Sequence, residues 1–189
     1  SDKRERDLTI DWLAYHVQHP GRKIRWSLLL QGAEGCGKTF LSEAMAVVLG
    51  KDNVGILEAS TIINSSFTSW AVGKQLNTIE ELRLEGGSKL DIMNSLKTIV
   101  ANDMIQVHVK NKSPYQTANR TDYLVLTNFQ DALPISKGDR RYFVVFSDLQ
   151  TEPQVKALGE DYFIKLFDML EDNPAGLRAF FENWKISKE

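Results

Sequence analysis

The sequence predicts an α/β protein, in which short apolar strands alternate with amphipathic helices. Residues 24–49 carry this prediction most clearly, because an apolar run of strand length at 26–30 is followed by a glycine-rich loop and a helical pattern. The apolar positions of that pattern recur at helical spacing: Leu41, Ala44, Met45 and Val48. Two further apolar runs, 123–127 and 142–146, have the length and composition of buried strands.

The loop between that first strand and helix has the pattern G-x-x-x-x-G-K-[ST], which is typical of phosphate binding. Glycines let backbone N–H groups turn inward around phosphate oxygens, and the following helix points its positive end at the same place. Lys38 is expected to reach the β- and γ-phosphates, and the Thr39 hydroxyl is expected on Mg²⁺. The predicted nucleotide-binding residues are Gly32, Ala33, Glu34, Gly35, Cys36, Gly37, Lys38, Thr39 and Phe40.

Composition restricts the class of protein. A chain of 189 residues with 42% hydrophobic and 25% charged residues is an ordinary globular mixture, and we expect one domain over residues 1–189. A net charge of −2 gives no general attraction to nucleic acid, so any such contact must come from a local patch. Cys36, the single cysteine, excludes an internal disulfide. No apolar run is long enough for a membrane span.

The N-terminal third contains a helix and two strands. Residues 8–17 have helical spacing, and His-Pro-Gly at 19–21 ends the pattern. The basic residues that follow are expected on a solvated edge beside the first strand: Arg22, Lys23 and Arg25. A second short strand is predicted around 54–57.

Residues 75–84 are predicted as a strand that ends in two carboxylates, Glu80 and Glu81. Acids at the tip of a strand beside a phosphate loop hold Mg²⁺ through water and polarise the attacking water. Glycines and serine at 86–88 then break the chain before an amphipathic helix at 89–101.

The second half begins with a predicted hairpin of strands 105–109 and 115–126, with Lys110 and Lys112 near its tip. The buried strand at 123–127 ends at Asn128, and Asp139-Arg140-Arg141 precedes the last strand. Two helical patterns, 155–170 and 175–184, close the chain. The first of them has a face spaced for the core: Phe163, Leu166, Phe167 and Leu170.

In this order the pieces resemble the superfamily 3 helicases, AAA+ motors of viral and plasmid replication, and most of all the helicase module of phage primase–helicases related to the poxvirus type. The matching stretches are 12–15 and 23–26, the A motif at 32–39, the B motif at 79–81, the hairpin motif at 107–112, the C motif at 124–128, and Arg140-Arg141 at the place of the arginine finger.

The resemblance implies an AAA+ P-loop NTPase: a central, mostly parallel sheet flanked by helices, with a β-hairpin insertion and C-terminal helices. It divides the domain into an N-terminal helix (1–22), an ATPase core (23–150) and C-terminal helices (151–189). It implies a ring, usually hexameric, that hydrolyses ATP with Mg²⁺ between subunits and moves 3′→5′ on single-stranded or forked DNA. It also implies a linked primase–polymerase domain and a place in the cytoplasm of the host cell.

The resemblance also assigns roles to individual residues. One subunit would supply Lys38, Thr39, Glu80, Glu81 and Asn128, with Mg²⁺ held by Thr39 and, through water, by Glu80. The next subunit would supply Arg140 or Arg141, and both remain candidates. DNA would pass the hairpin at Lys110, Lys112 and His108, although an ordinary strand position is the favoured interpretation for the histidine.

Two features depart from the family pattern: the B-motif strand contains the polar residues Asn77 and Thr78, and its first acid is Glu80 rather than Asp. The polar strand favours one alternative, an AAA+ module that binds nucleotide only to assemble a replication complex. A second alternative, a P-loop nucleotide or nucleoside kinase, would need an acceptor pocket and lid arginines, and would not need the strand that ends at Asn128.

Overall fold

The computed structural model describes residues 2–64, 67–83 and 89–187. Its helices are α1 (Lys3–Gln18), α2 (Thr39–Leu49), α3 (Ala59–Asn64), α4 (Lys89–Ala101), α5 (Glu152–Lys156), α6 (Glu160–Asp172) and α7 (Pro174–Asn183). Its strands are β1 (Ser27–Gln31), β2 (Val54–Glu58), β3 (Leu76–Glu80), β4 (Met104–Val107), β5 (Tyr115–Ala118), β6 (Asp122–Thr127) and β7 (Tyr142–Phe146). Single 3₁₀ turns lie at Lys51–Asn53 and Ser69–Ala71.

Five of these strands form one sheet in the order β2-β3-β6-β1-β7, and every neighbouring pair in it is parallel. The predicted α/β class with a mostly parallel central sheet is therefore confirmed. Because β6 lies between β1 and β3, these three strands end side by side at Gln31, Glu80 and Thr127. The sheet order thus brings the predicted phosphate loop, acid pair and Asn128 to one edge.

Helices cover both faces of the sheet. Side chains alternate along a strand, so Tyr123 and Val125 of β6 pack on one face with α4 and β4, while Leu124 and Leu126 pack on the other with α1, α2 and α7. Burial on both faces explains why these strands are nearly continuous apolar runs.

The polar residues of β3 have hydrogen-bond partners within the fold. The Thr78 hydroxyl lies 2.8 Å from that of Ser42 in α2, and Asn77 Nδ2 donates to the Trp70 carbonyl oxygen at 2.8 Å. Thr78 and Asn77 are 0% and 1% exposed; the hydrogen bond of Thr78 is fully buried and that of Asn77 is part-buried. The polar B-motif strand is therefore a buried strand tied through its side chains to α2 and to the 3₁₀ turn that contains Trp70.

The predicted hairpin is shorter than expected. Its second arm, 115–126, is two strands: β5 pairs antiparallel with β4, and β6 joins the main sheet. The break occurs at Asn119, whose buried side chain donates to the carbonyl oxygens of Ile99 and Asn102 at 2.6 and 2.8 Å. These bonds attach the base of the hairpin to the C-terminal end of α4.

The predicted helix at 155–170 is also divided. α5 ends at Lys156, and α6 begins at Glu160 after Gly159, whose φ of 82° lies in the left-handed region that glycine tolerates best. Of the strand predicted at 75–84, residues 76–80 are confirmed as β3, whereas Leu84 and the predicted break at 86–88 lie outside the described residues.

The prediction that Lys23 lies on a solvated edge is wrong. Its side chain is only 7% exposed, its ammonium lies 3.2 Å from Asp122, and it also donates to the carbonyl oxygen of Thr121. Burial lowers the pKa of Lys23, and the Asp122 carboxylate partly opposes this effect. His16 of α1 faces the same carboxylate at 3.2 Å. Arg25 is exposed as expected and pairs with Asp103.

Candidate functional site

A cavity of about 440 Å³ lies at the carboxyl ends of β1, β3 and β6. In parallel α/β sheets this is the edge where ligands bind. Its lining joins the phosphate loop, the strand ends and one C-terminal helix: Glu34, Gly35, Gly37, Lys38, Thr39, Glu80, Glu81, Leu126, Thr127, Asn128, Phe163 and Phe167. Residues that are up to 133 positions apart in the sequence, Glu34 and Phe167, thus meet in one concave site.

The phosphate loop has the backbone that its glycines permit. Gly35 and Gly37 have φ values of 72° and 85°, where a side chain would be strained. Lys38 folds back over the loop and donates to the carbonyl oxygens of Gly32 and Ala33 at 3.1 and 2.8 Å. Its third donor goes to Asn128 Oδ1 at 2.6 Å. The lysine ammonium is therefore held inside the cavity by the loop and by the end of β6.

The acid pair reaches the cavity at the end of β3. Glu80 is half-buried, and its pKa is raised by burial and by the nearby carboxylates of Glu81 and Glu43. Glu81 has a φ of 53°, which is uncommon for a residue other than glycine and is found preferentially at functional positions. The Thr127 hydroxyl fixes this turn from the neighbouring strand by donating to the Leu82 carbonyl oxygen at 2.9 Å.

Asn128 is fixed on both sides. Gln31, the last residue of β1, donates through Nε2 to the Asn128 carbonyl oxygen at 3.1 Å. Lys38 donates to Asn128 Oδ1, and within the described part of the chain the Nδ2 of this cavity-lining residue makes no hydrogen bond. The end of β6 therefore carries an oriented hydrogen-bond donor next to the phosphate loop.

The donor set fits a magnesium ion that enters with a nucleotide. Thr39 and Glu80 line the same cavity, and Mg²⁺ in such sites keeps several waters and takes one or two protein oxygens together with phosphate oxygens. Burial and the neighbouring carboxylates of Glu81 and Glu43 raise the pKa of Glu80, and a cation there would offset both effects by favouring the ionised carboxylate. Among the residues that the structure describes, no three His, Cys, Asp or Glu side chains are grouped as an all-protein metal site.

Arg140 and Arg141 lie away from this cavity. They precede β7, which runs parallel to β1 with Tyr142 opposite Ser27 and Phe146 opposite Gln31. The five residue-to-residue steps from 141 to 146 span about 17 Å, longer than an extended arginine side chain. Neither arginine can therefore reach the phosphate loop of its own chain.

The two arginines have different surroundings. Arg141 pairs with Asp139 at 3.3 Å, and the Asp139 carboxylate, which is only 3% exposed, also lies 3.7 Å from Lys97. Arg140 is exposed and, in the part of the chain described, makes no hydrogen bond or ion pair. Arg141 thus has a structural role within the chain, whereas Arg140 is available to a second molecule.

The hairpin presents its lysines to solvent. Lys110 and Lys112 are exposed in the connection between β4 and β5, and Asn111 between them has a φ of 61°. His108 is half-buried, and its backbone forms two hydrogen bonds with Thr68, each 3.0 Å long. The Thr68 N–H donates to the His108 carbonyl oxygen, and the His108 N–H donates to Thr68 Oγ1. The predicted DNA-contacting side chains are therefore carried on a small, anchored two-stranded unit outside the cavity.

Sequence reasoning missed the contribution of α6 to the cavity. Phe163 and Phe167 were expected in the core, but both are half-buried and line the cavity, while Leu170 on the same face is 4% exposed. The helical spacing correctly indicated a packed face of α6. The contact of that face with the phosphate loop depends on how distant parts of the chain pack together, which a local sequence pattern does not predict.

Comparison with known proteins gives one curated relative, the DNA primase-polymerase of Nitratiruptor phage NrS-1, which is 23% identical over 147 residues. The match covers 76% of this chain and 20% of the relative, so the chain corresponds to about a fifth of that protein's length. None of the helices in residues 2–64, 67–83 and 89–187 combines the length and apolar composition needed to cross a membrane.

Solved structures share the fold. The apo structure of the C-terminal region of NrS-1 superposes with a TM-score of 0.83 at 18% identity, covering 98% of this chain and 43% of that one. A second apo form of the same region gives 0.79 at 19% identity, with the same coverage. A family model also matches residues 30–141, from the first strand to the turn before β7. The chain therefore belongs to DUF5906, a family described as of unknown function.

Proposed function

We propose that this domain is the ATP-driven motor of a phage DNA helicase. In this proposal it is an AAA+ P-loop NTPase of the superfamily 3 type, acts in the cytoplasm of the host cell beside a linked primase–polymerase domain, and works as a ring around DNA. The observation that carries the proposal is the cavity itself, where Lys38, Thr39, Glu80, Glu81 and Asn128 converge on one site. Similarity to a phage DNA primase-polymerase supports a role in phage DNA replication.

Each side chain has a defined task in phosphoryl transfer. ATP would lie with its phosphates in the loop, Lys38 on the β- and γ-phosphates, and Mg²⁺ on Thr39 and, through water, on Glu80. Glu81 would accept a proton from the attacking water as the bond between the water oxygen and the γ-phosphorus forms. The free Nδ2 of Asn128 would donate to the γ-phosphate or to that water.

The proposed site is completed by a neighbouring subunit. Transition-state charge on the γ-phosphate needs a further cation, and an arginine supplied in trans is a common solution. Arg140 cannot serve its own site, is exposed, and is not engaged within the described part of the chain. A ring, hexameric in the family that the sequence resembles, would bring the Arg140 of one subunit to the cavity of the next.

DNA contact is assigned to the hairpin. With a net charge of −2, the domain needs placed cations rather than a general field, and Lys110 and Lys112 are exposed together at one tip. Lysine contacts to phosphate carry no sequence information, which suits a motor that moves over any sequence. Single-stranded or forked DNA in a central channel would meet one such tip from each subunit.

The alternative of a nucleotide-binding assembly module was favoured by the polar B-motif strand. That strand is buried, its two polar side chains have partners, and it still delivers Glu80 and Glu81 to the cavity. The feature therefore no longer favours the assembly module over a motor.

The test compares Lys38→Ala with Glu81→Gln. We expect the first to lose nucleotide binding, and the second to keep ATP affinity while hydrolysis falls by a factor of about 10²–10⁴, because an amide cannot take the proton. Nucleotide affinity is measured by calorimetry and hydrolysis by phosphate release. Normal turnover in Glu81→Gln would move the base to Glu80, and tight ATP binding by Lys38→Ala would contradict the assignment of the loop.

A further inference from the structure

Helix α6 turns two aromatic rings toward the cavity. Phe163 and Phe167 are one helical turn apart on the same face, and both line the site together with the phosphate loop. The Phe163 ring lies directly on the loop, since a Cβ added to Gly37 would be 2.9 Å from Phe163 Cε1. Phe167 meets the ring of Phe40, the second residue of α2, edge-on with centroids 5.7 Å apart.

These rings have no task in the chemistry of the phosphates. The phosphate end of the site is defined by Lys38, the acid pair and Asn128, all of which offer charge or hydrogen bonds. A nucleotide also has one planar, weakly polar part, its base, which binds well against aromatic faces. The rings lie where the start of α2 meets the loop.

The polar side chains of the cavity are all concentrated at the phosphate end. Among the described residues that line it, those able to form side-chain hydrogen bonds belong to the loop, the start of α2 or the strand ends: Glu34, Lys38, Thr39, Glu80, Glu81, Thr127 and Asn128. The part of the lining that comes from α6, all of which is described, consists of Phe163 and Phe167. Strong discrimination between bases requires hydrogen bonds to their edges, whereas stacking accepts every base.

We propose that Phe163 and Phe167 form the wall against which the nucleobase stacks, so that the site accepts nucleoside triphosphates with little discrimination among bases. This inference rests on the proposed nucleotide site and adds its substrate range. It also gives α6 a direct part in nucleotide affinity, besides its packing through Leu170.

The experiment separates the base from the phosphates by comparing ATP with inorganic tripolyphosphate, each with Mg²⁺, in calorimetry. Phe163→Leu and Phe167→Leu should each weaken ATP binding about tenfold and leave tripolyphosphate affinity at the parental value. Phe163→Tyr should keep ATP affinity at the parental value, because tyrosine retains the aromatic ring. Ile164→Ala, next to Phe163 but 58% exposed, is the matched control and should change neither affinity.

The outcomes separate the two proposals. Equal losses of affinity for ATP and tripolyphosphate would mean that the rings only hold α6 against the loop. Unchanged ATP affinity would mean that the rings do not contact the base. Either result would overturn the inference about the base and leave the proposed phosphate site intact. A parent that binds neither ligand would overturn the nucleotide site itself, and the wall with it. In the parent, GTP, CTP and UTP should compete within about tenfold of ATP, and a preference of 10⁴-fold would reveal edge recognition instead.

Discussion

The different surroundings of Arg140 and Arg141 predict two separable defects. Arg140→Ala should abolish the contribution of the neighbour to hydrolysis, a loss of about 10³–10⁵ for an arginine finger, in the assembled protein. Its stability should stay within about 0.5 kcal/mol of the parent, since the side chain is exposed and not engaged in the chain as described. ATP affinity should be nearly unchanged, because the loop that binds the phosphates is intact.

Arg141→Ala should show the opposite pattern. It removes one partner of the Asp139 carboxylate, which is 3% exposed, while Lys97 at 3.7 Å and the backbone N–H of residue 141 at 3.0 Å remain. Loss of a partially compensated buried pair should cost less than the 3–5 kcal/mol of a stranded charge, about 1–3 kcal/mol. For a domain of this size each kcal/mol lowers the melting temperature by about 2–4 °C. Hydrolysis per folded molecule should stay near the parental rate.

The assay pairs thermal melting with phosphate release for each variant and for a mixture of Arg140→Ala with Lys38→Ala. The mixture should recover some activity, because each variant supplies the half-site that the other lacks. Full hydrolysis by Arg140→Ala, or by a strictly monomeric preparation, would refute the trans arrangement. If Arg141→Ala lost hydrolysis without losing stability, the two assignments would be exchanged.

Three further predictions concern charge. Lys23→Met should destabilise the fold by about 1–3 kcal/mol in denaturant titrations, since the buried Asp122 carboxylate loses its lysine partner but keeps His16 and the backbone N–H of Ile24. Arg25→Met, which breaks an exposed pair, should cost about 1 kcal/mol or less, and equal costs would contradict the burial of Lys23. The double change Lys110→Ala, Lys112→Ala should leave ATP hydrolysis without DNA unchanged and remove the stimulation of hydrolysis by DNA. The slope of log K against log salt concentration for single-strand binding should become shallower by about 1.4. Single-strand binding equal to that of the parent would exclude the hairpin as the DNA contact. Without nucleotide, Glu80→Gln should melt at a higher temperature than the parent at pH 7, because the raised pKa of Glu80 makes its ionised form less stable in the fold than in the unfolded chain. The gain in melting temperature should disappear as pH falls through the pKa of folded Glu80 and its carboxyl group becomes neutral. A gain independent of pH would contradict the raised pKa.

Motifs whose function depends on local spacing could be predicted from the sequence. The phosphate loop needs its glycines, lysine and threonine at fixed offsets, and the acids and Asn128 directly follow strands, so these residues can be identified from the sequence alone. That they converge depends on the insertion of β6 between β1 and β3, which follows from strand order and not from any one segment.

Features that depend on contacts between distant segments could not be predicted. Lys23 can be buried because its ammonium pairs with the carboxylate of Asp122, which lies 99 positions later in the sequence. A run of basic residues by itself predicts solvent exposure. The role of Phe163 and Phe167 depends on where α6 lies relative to the loop. In contrast, Gly159 was a usable signal for the break between α5 and α6, but the apolar periodicity across it outweighed that signal.

The central claim is that hydrolysis at this cavity drives movement on DNA, and the most direct test is displacement of a labelled strand from a forked duplex. The account predicts that the parent separates the strands only with Mg²⁺ and hydrolysable ATP, and that Glu81→Gln binds ATP and DNA but leaves the duplex intact. Strand separation by Glu81→Gln, or a parent that turns over ATP at a rate unaffected by DNA and leaves every fork intact, would contradict it.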